Sequence, residues 1–353
     1  MTIRIALDNY VYEDIYPAFK ATTDEKAITA NISQAFLNNL VQQEMVLEGE
    51  TPLTVADIGS GPCDTIVMYL TGVRFTPGYI VRATDFLPDY ADSERGEALK
   101  LLAEAQAKNT IRLAGFSARA GDAFGGKLLE LLSGPDGADA RSGFRIVFAS
   151  HVMYHADGIA DVRRTIGDIA NNLLAPNGIC IMFHLASTPG TFQGFRARFG
   201  SELGSSPSDT GAVTIDDPPT QIAKACSDLG VPIHQMDFTT RSRFGTLGDN
   251  EWRAFKDPDS YDALSGSNPG AYEDLKRLYF IPQRAPREFA ADRSKTGLNQ
   301  YMDEMRELLE RTRGALPLAE RMQVFTRTDA PARLAAAIPV AMASASVAAD
   351  PAI

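Results

Sequence analysis

Three carboxylates and a cluster of histidines stand where side chains could do chemistry. Asp57 precedes a glycine turn, Gly59-Ser60-Gly61, and Asp85 and Asp122 each close a later apolar run. His151, Tyr154 and His155 follow a fourth run. A glycine turn lets backbone N–H groups approach a ligand closely, and a helix starting behind it adds partial positive charge. An acid one βα repeat further on is placed to take ribose hydroxyls, because one carboxylate offers acceptors to both. Imidazole and phenol groups can take or hold a proton. His151 and His155 are four residues apart, so on a helix they share a face, and His184 is a third candidate metal ligand. No fourth ligand accompanies them, so a single histidine acting as base or hydrogen-bond donor is the preferred reading, with no metal expected. No nucleophile elbow, Ser-His-Asp spacing or phosphate-loop lysine is present.

The elements that must position these residues can be read from apolar periodicity. Leu53 to Ile58 is a strand, and Asp64 and Thr65 can cap a helix carrying Ile66 to Leu70. Tyr79 to Ala83 is a second strand ending at Asp85. Ser93 to Lys108 is a helix, and TIRLAGFSARAGDAF supplies a third strand with Asp122 in the following turn. Lys127 to Leu132 is a short helix, Phe144 to Ser150 a strand, Asp161 to Leu174 a helix, and Ile179 to Leu185 a strand after an APNG turn. Strand and helix alternate through 53–186 and the strands are almost continuously apolar, which is the pattern of a parallel sheet covered on both faces.

Flanking segments differ. Ile28, Ile32, Phe36 and Leu40 recur at four-residue spacing behind Thr22-Thr23-Asp24-Glu25, giving a helix that either packs on the sheet or closes over a pocket. Helices are expected at 219–229, 272–279 and 298–313, alternating strands at 232–243 and 320–329, and either a frayed tail or a terminal helix over the Ala-rich 331–353. The expected division is a lid (1–48), a cofactor-binding core (49–190), an extension completing the sheet and substrate site (191–330) and a tail (331–353).

The formal net charge of −11 argues against nucleic acid or an anionic membrane as partner, although plain solubility explains it as well. Cys63, Cys180 and Cys226 are too scattered for a disulfide framework or zinc site. The start of the chain is too polar for a signal peptide, and no apolar run is expected to reach the ~20 residues of a membrane span. These features fit a reducing cytoplasm.

VADIGSGPCD, RATDFLP, AGDAF, FRIVFASHVMYH and LLAPNGICIMF fall in order over one stretch. Together they resemble the class I S-adenosylmethionine-dependent methyltransferases. Asp64 stands where a dinucleotide-binding redox enzyme wants its third glycine, which disfavours that competitor. The resemblance implies an α/β, Rossmann-like seven-stranded sheet with helices on both faces, an N-terminal helical lid, a C-terminal α+β extension, and S-adenosyl-L-methionine as cofactor. It implies that Gly59, Ser60 and Gly61 contact the amino-acid part of the cofactor, with Asp57 orienting the loop or reaching the amine through water. Asp85, followed by Phe86, would take the ribose, and Asp122 with Ala123 would sit by the adenine. For Asp122, simple loop capping is an equal reading. Ser150 and His151 would line the transfer site.

A narrower likeness runs through the Tyr-rich N-terminus, HVMYH, GFRARFGS, TIDD and ACSDLGVPIHQMDF, and is to the histamine N-methyltransferase branch. That likeness implies an acceptor held by Asp24 or Glu25, by His151 and by an active-site aromatic at Tyr154, with His155 standing where a second aromatic is usual. His151 replaces the branch's amide, which points away from histamine itself. Tyr10, Tyr12, Tyr16, Tyr154 and Phe192 are candidates for an aromatic wall around a cation, though packing explains any one of them alone. The expected reaction is methyl transfer to a small polar acceptor, foremost an amine nitrogen. The alternatives are O- or C-methylation of a small carboxylate, phenol or keto acid, and a cofactor-binding protein without catalysis.

Overall fold

A computed structural model describes residues 16–43, 52–73, 78–85, 96–108, 111–124, 126–132, 143–156, 158–202, 217–255, 257–281 and 296–349. The chain divides into two compact units.

One unit comprises Lys26–His184, Pro218–Phe238 and Glu320–Ile353. Its frame is a sheet of seven strands: β1 (Leu53–Ile58), β2 (Tyr79–Asp85), β3 (Leu113–Ala120), β4 (Phe144–Phe148), β5 (Leu174–Leu185), β6 (Ile233–Arg243) and β7 (Ala315–Thr326), in the spatial order β3-β2-β1-β4-β5-β7-β6. The first five are parallel, with Asp57 opposite Ala83 on one side and Phe148 on the other. β7 runs against β5: the Arg327 Nη1 donates to the Leu174 carbonyl at 3.3 Å, and the Ala186 amide to the Ala319 carbonyl at 2.8 Å. It also runs against β6, where Gln323 Nε2 donates to Gln235 Oε1 at 3.1 Å and the Phe244 amide to the Gly314 carbonyl at 2.8 Å.

Successive residues of β1, β4 and β5 are buried, so both faces of the sheet centre are covered. On one face Val55, Val81, Ile146, Phe148, Ile181, Phe183 and Val324 form a continuous core with four helices. These are α2 (Glu25–Gln42), α3 (Asp64–Thr71), α4 (Glu97–Ala107) and α13 (Ala332–Ala349). The four-residue rhythm of Ile28, Ile32, Phe36 and Leu40 lies on the buried side of α2. On the opposite parity, Ala56, Val147, Cys180 and Met182 are buried too. There α6 (Ile159–Asp168) packs on α8 (Pro218–Leu229), and burial, followed by the influence of the Cys226 thiol of α8, pushes the Cys180 thiol well up. A short helix α5 (Leu128–Leu132) completes the βα alternation.

Several element boundaries differ from expectation. The APNG segment belongs to β5, whose pairing with β4 is irregular between Phe144 and Ile146. The helix expected to run through Leu174 ends at Asp168 and continues as one wider π turn, Ile169–Leu173. Asp64 is not a cap: Cys63 takes that position with a left-handed backbone, and Asp64 lies in the first helical turn. Residues 332–349 form a helix, with Leu334, Ile338, Ala341 and Met342 in the core. That helix is long and apolar enough to cross a membrane by length and composition, contrary to the sequence expectation, although its buried face gives the apolarity a packing role.

The second unit comprises Met1–Glu25, Leu185–Asp217 and Thr239–Ala319. It carries α1 (Tyr16–Thr22), α7 (Phe192–Glu202), α9 (Asp249–Ala254), α10 (Pro258–Ser267), α11 (Pro269–Phe280) and α12 (Thr296–Arg311). Its core is aromatic: Phe255 stacks on Tyr279 at 4.3 Å, and Tyr301 packs edge-on to Phe199 at 5.4 Å. The buried guanidinium of Arg277 binds Asp274, Thr22 and the Arg243 carbonyl, and lies over the Phe244 ring at 4.2 Å. A surface pocket of about 330 Å³ is lined by Asp249, Trp252, Arg253, Met302, Asp303 and Arg306.

Candidate active site

In the strand order β3-β2-β1-β4-β5 the chain reverses direction across the sheet between β1 and β4. Open parallel sheets bind ligands at this switch, outside the carboxyl ends of the strands. The loops leaving β1, β2 and β4 therefore open onto one edge, and they carry Asp57 to Gly61, Asp85, and Ser150 to Tyr154.

The glycine turn is laced to the end of β2. The Gly59 and Ser60 amides donate to the Thr84 carbonyl at 2.7 and 3.0 Å, and the Gly61 amide donates to Asp85 Oδ2 at 2.7 Å. Gly59 and Gly61 have φ of +69° and +51°, values that side chains rarely adopt. A Cβ on Gly59 would also stand 2.5 Å from Val152 Cγ2. The turn then enters α3, where Asp64 ion-pairs with Lys26.

Asp57 is only 6% exposed, and its Oδ2 has no hydrogen-bond partner among the described residues. Burial, reinforced by the charges of Asp85 and Asp64, pushes its carboxyl up to about 7, against the opposing pull of Lys26. A buried carboxyl oxygen beside this glycine turn calls for a cation or a donor. An ammonium or sulfonium group matches that demand, and Asp85 at the neighbouring strand end, whose Oδ2 already takes the Gly61 amide, is a carboxylate with acceptor capacity for a ribose hydroxyl.

Across the switch, β4 ends in a turn held from β5. The His151 amide donates to the Phe183 carbonyl at 2.8 Å, and His151 takes a left-handed backbone with φ +54°. Ser150 Oγ lies 3.3 Å from the Tyr69 hydroxyl, whose ring rests on Phe148 and Phe183 at 5.0 and 5.5 Å. The next residues, Met153–His155, form a single 3₁₀ turn. His184, wholly buried at the end of β5, accepts the Met153 amide on Nε2 at 3.2 Å. That bond places the imidazole proton on Nδ1. Burial, followed by the charge of His151, lowers the pKa of His184 well below the ordinary histidine value, so it stays neutral. The ring centres of His151, Tyr154 and His184 lie 5.7 to 6.3 Å apart.

The sequence reading missed one acid. Glu320, on β7, is 1% exposed, and its Oε2 lies 3.8 Å from His151 Nε2. Alternation along β7 could have revealed it, because Leu316, Leu318, Glu320, Met322 and Val324 all fall on the buried parity.

The remaining candidates are placed as follows. Asp122 is exposed, and its Oδ1 accepts the Phe124 amide at 2.8 Å, a local turn contact, while Ala123 beside it is buried. His155 is exposed at the end of the 3₁₀ turn. Asp24, Glu25, Tyr16 and Phe192 belong to the other unit. There Asp24 Oδ1 accepts the Arg241 amide at 2.6 Å, the Glu25 amide donates to Thr23 Oγ1 at 3.1 Å, and Phe192 is buried against Phe19 at 4.9 Å. Tyr16 opens α1. Tyr10, Tyr12 and Phe86 lie outside the described residues.

No family model matches the chain, and no curated protein matches it. Among solved structures it is similar to the cyclopropane synthase MmaA2 from Mycobacterium tuberculosis, with a TM-score of 0.43 and 12% identity over 90% of this chain and 94% of that one. It is also similar to a cyclopropane-fatty-acyl-phospholipid synthase-like protein from Lactobacillus casei, with a TM-score of 0.41 and 14% identity over 89% and 99%. A third is YcgJ from Bacillus subtilis, with a TM-score of 0.41 and 13% identity over 82% and 98%.

Proposed function

We propose that this chain is an S-adenosylmethionine-dependent methyltransferase acting on a small polar acceptor, foremost an amine nitrogen. The observation that carries the reading is the Gly59-Ser60-Gly61 turn bracketed by two acids, the buried Asp57 and the half-buried Asp85, at the switch between β1 and β4.

The cofactor supplies an activated methyl on a sulfonium sulfur, leaving as a neutral thioether. Gly59, Ser60 and Gly61 would hold its amino-acid end, Asp57 its positive charge and Asp85 its ribose diol. The protein's own contribution is then positioning and exclusion of water. Ser150, His151 and Tyr154 leave the same sheet edge from β4 and supply the acceptor side. An acidic, aromatic and imidazole-bearing setting suits an amine better than a carboxylate, as in the histamine N-methyltransferase branch that the sequence resembles. Arginines such as Arg196 and Arg198 would suit an acidic substrate; of these, Arg198 is engaged with Glu304 at 2.8 Å in the other unit.

Calorimetry with S-adenosylhomocysteine tests the cofactor assignment. Binding that Asp85→Ala weakens at least tenfold is the expected result; no binding by the native chain overturns it. A mass-spectrometric screen of amines, phenols and keto acids for one added CH₂ then identifies the acceptor. Products only on oxygen or carbon would replace the amine reading, and cofactor binding without any product would leave a non-catalytic binder.

A further inference from the structure

We propose that His151 and Glu320 form a proton-accepting dyad, with Glu320 as the positioning residue, and that the acceptor therefore belongs to the class of nucleophiles with a proton to lose. This rests on the methyltransferase reading, and it adds a residue and a substrate class to it.

Four features carry the argument. Glu320 sits on the inward parity of β7 among Leu316, Leu318, Met322 and Val324, and its side chain has no exposed surface. A carboxylate in such a place is destabilising unless a cation or donors answer it. His151 Nε2 is within ion-pair reach at 3.8 Å, and the His151 side chain keeps 24% of its surface exposed. It thus faces the buried acid with one nitrogen while remaining partly open. The His151 backbone is left-handed, a disfavoured conformation that persists only where the surroundings impose it, and it clusters at functional sites. Finally, the neighbouring imidazole does not compete: His184 is neutral, with Nε2 committed to the Met153 amide. The titratable side chains of this unit in contact with His151 include Glu320 from β7, His184 from β5 and Tyr154 from the same turn.

In the reaction, the acceptor nitrogen or oxygen uses its lone pair to form the new bond to the methyl carbon while the methyl–sulfur bond breaks and its pair leaves on the sulfur, and the acceptor's N–H or O–H bond breaks. The electron pair of that bond stays on the heteroatom. The proton crosses to the His151 imidazole, and Glu320 offsets the imidazolium charge until water carries the proton away. A tertiary amine has no proton to surrender and makes no use of the dyad.

The test reads the pair directly. In the full-length chain with labelled histidine rings, NMR titration should give His151 a midpoint that Glu320→Gln lowers by about one pH unit or more, while His234 is unmoved. Glu320→Asp should restore part of the difference. An unchanged His151 midpoint in Glu320→Gln overturns the proposal. If Glu320→Gln does not fold, His151→Asn gives the reverse measurement, since asparagine tolerates the left-handed turn. The carboxyl of Glu320, read by carbon NMR, should then titrate higher than in the native chain; no change overturns the dyad. Calorimetry with S-adenosylhomocysteine on the same Glu320→Gln protein separates the two readings, because cofactor binding should survive within about twofold. A native chain that binds no S-adenosylhomocysteine sinks the methyltransferase reading while the ring titration still reports the pair. For the proton-bearing class, turnover on a primary amine should fall at least tenfold in Glu320→Gln with KM little changed, and equal turnover in the two proteins overturns it.

Discussion

Gly59 and Val152 approach so closely that no side chain fits between them: a Cβ on the glycine would lie 2.5 Å from Val152 Cγ2. The contact joins the turn after β1 to the turn after β4, so the two halves of the candidate site are mechanically one. Gly59→Ala should therefore weaken S-adenosylhomocysteine binding more than tenfold and also displace the His151 ring resonance. Gly61→Ala meets open space and carries only the strain of its φ of +51°, about 1–2 kcal/mol. The two variants compared by calorimetry and NMR should rank in that order; equal effects would mean the steric contact does not matter.

Asp57 makes the stability of the chain depend on pH. Its carboxyl is raised to about 7 when folded, chiefly by burial, against an ordinary value of about 3.9 in the unfolded chain. The folded state thus holds a proton that the unfolded state has released. The resulting stabilisation is complete below about pH 4 and is lost as pH rises through 7. Urea midpoints should decline across that window, and Asp57→Asn should flatten the decline. Binding of S-adenosylhomocysteine should tighten over the same window as the carboxylate ionises.

Asp24 is bonded to the Arg241 amide at 2.6 Å, beside an isolated bridge between Thr23 and Ser242. Asp24→Asn keeps the accepting oxygen and should shift stability by about 1 kcal/mol or less. Asp24→Ala removes it and should cost more. If both leave kcat untouched, the aspartate anchors strand β6 and takes no part in catalysis.

Arg277 tests the second unit by itself. The residue is 3% exposed, and its guanidinium is shared among Asp274, Thr22 and the Arg243 carbonyl. Asp274→Ala strands that buried charge and should lose about 3–5 kcal/mol in urea unfolding. Breaking the exposed Arg198–Glu304 pair with Arg198→Ala should lose about 1 kcal/mol at most.

Much of the fold was legible because its signals are local. The apolar run Phe144 to Phe148 and the spacing of Ile28, Ile32, Phe36 and Leu40 report burial directly, and each became the expected element. The acids at strand ends could be placed for the same reason. Boundaries were lost where two signals conflict. Pro176 and Gly178 in APNG announce a turn, yet the backbone continues in β5 through an irregular pairing. Helix α10 was missed because its sequence, PDSYDALSGS, carries little apolar periodicity. Glu320 was missed for another reason: its partner His151 is far away in sequence, and a lone acid in a strand reads as solvent-facing unless parity is followed along the whole strand. The tie between Asp24 and Arg241 is likewise a product of tertiary contact that no local pattern announces.

β7 is the last strand in the chain, yet in the sheet it lies between β5 and β6. During synthesis the outer edge of β5 must therefore wait for the residues between Leu185 and Ala315 before it can be paired, on the order of ten seconds at 5–20 residues per second. An apolar strand with an open edge is an aggregation template for that interval. The glycine turn and Asp85 can assemble early, whereas Glu320 arrives with the strand that closes the gap. Competence to bind the cofactor and competence to use it would then be separate events in the life of each molecule, with a window between them in which a chaperone has reason to attend.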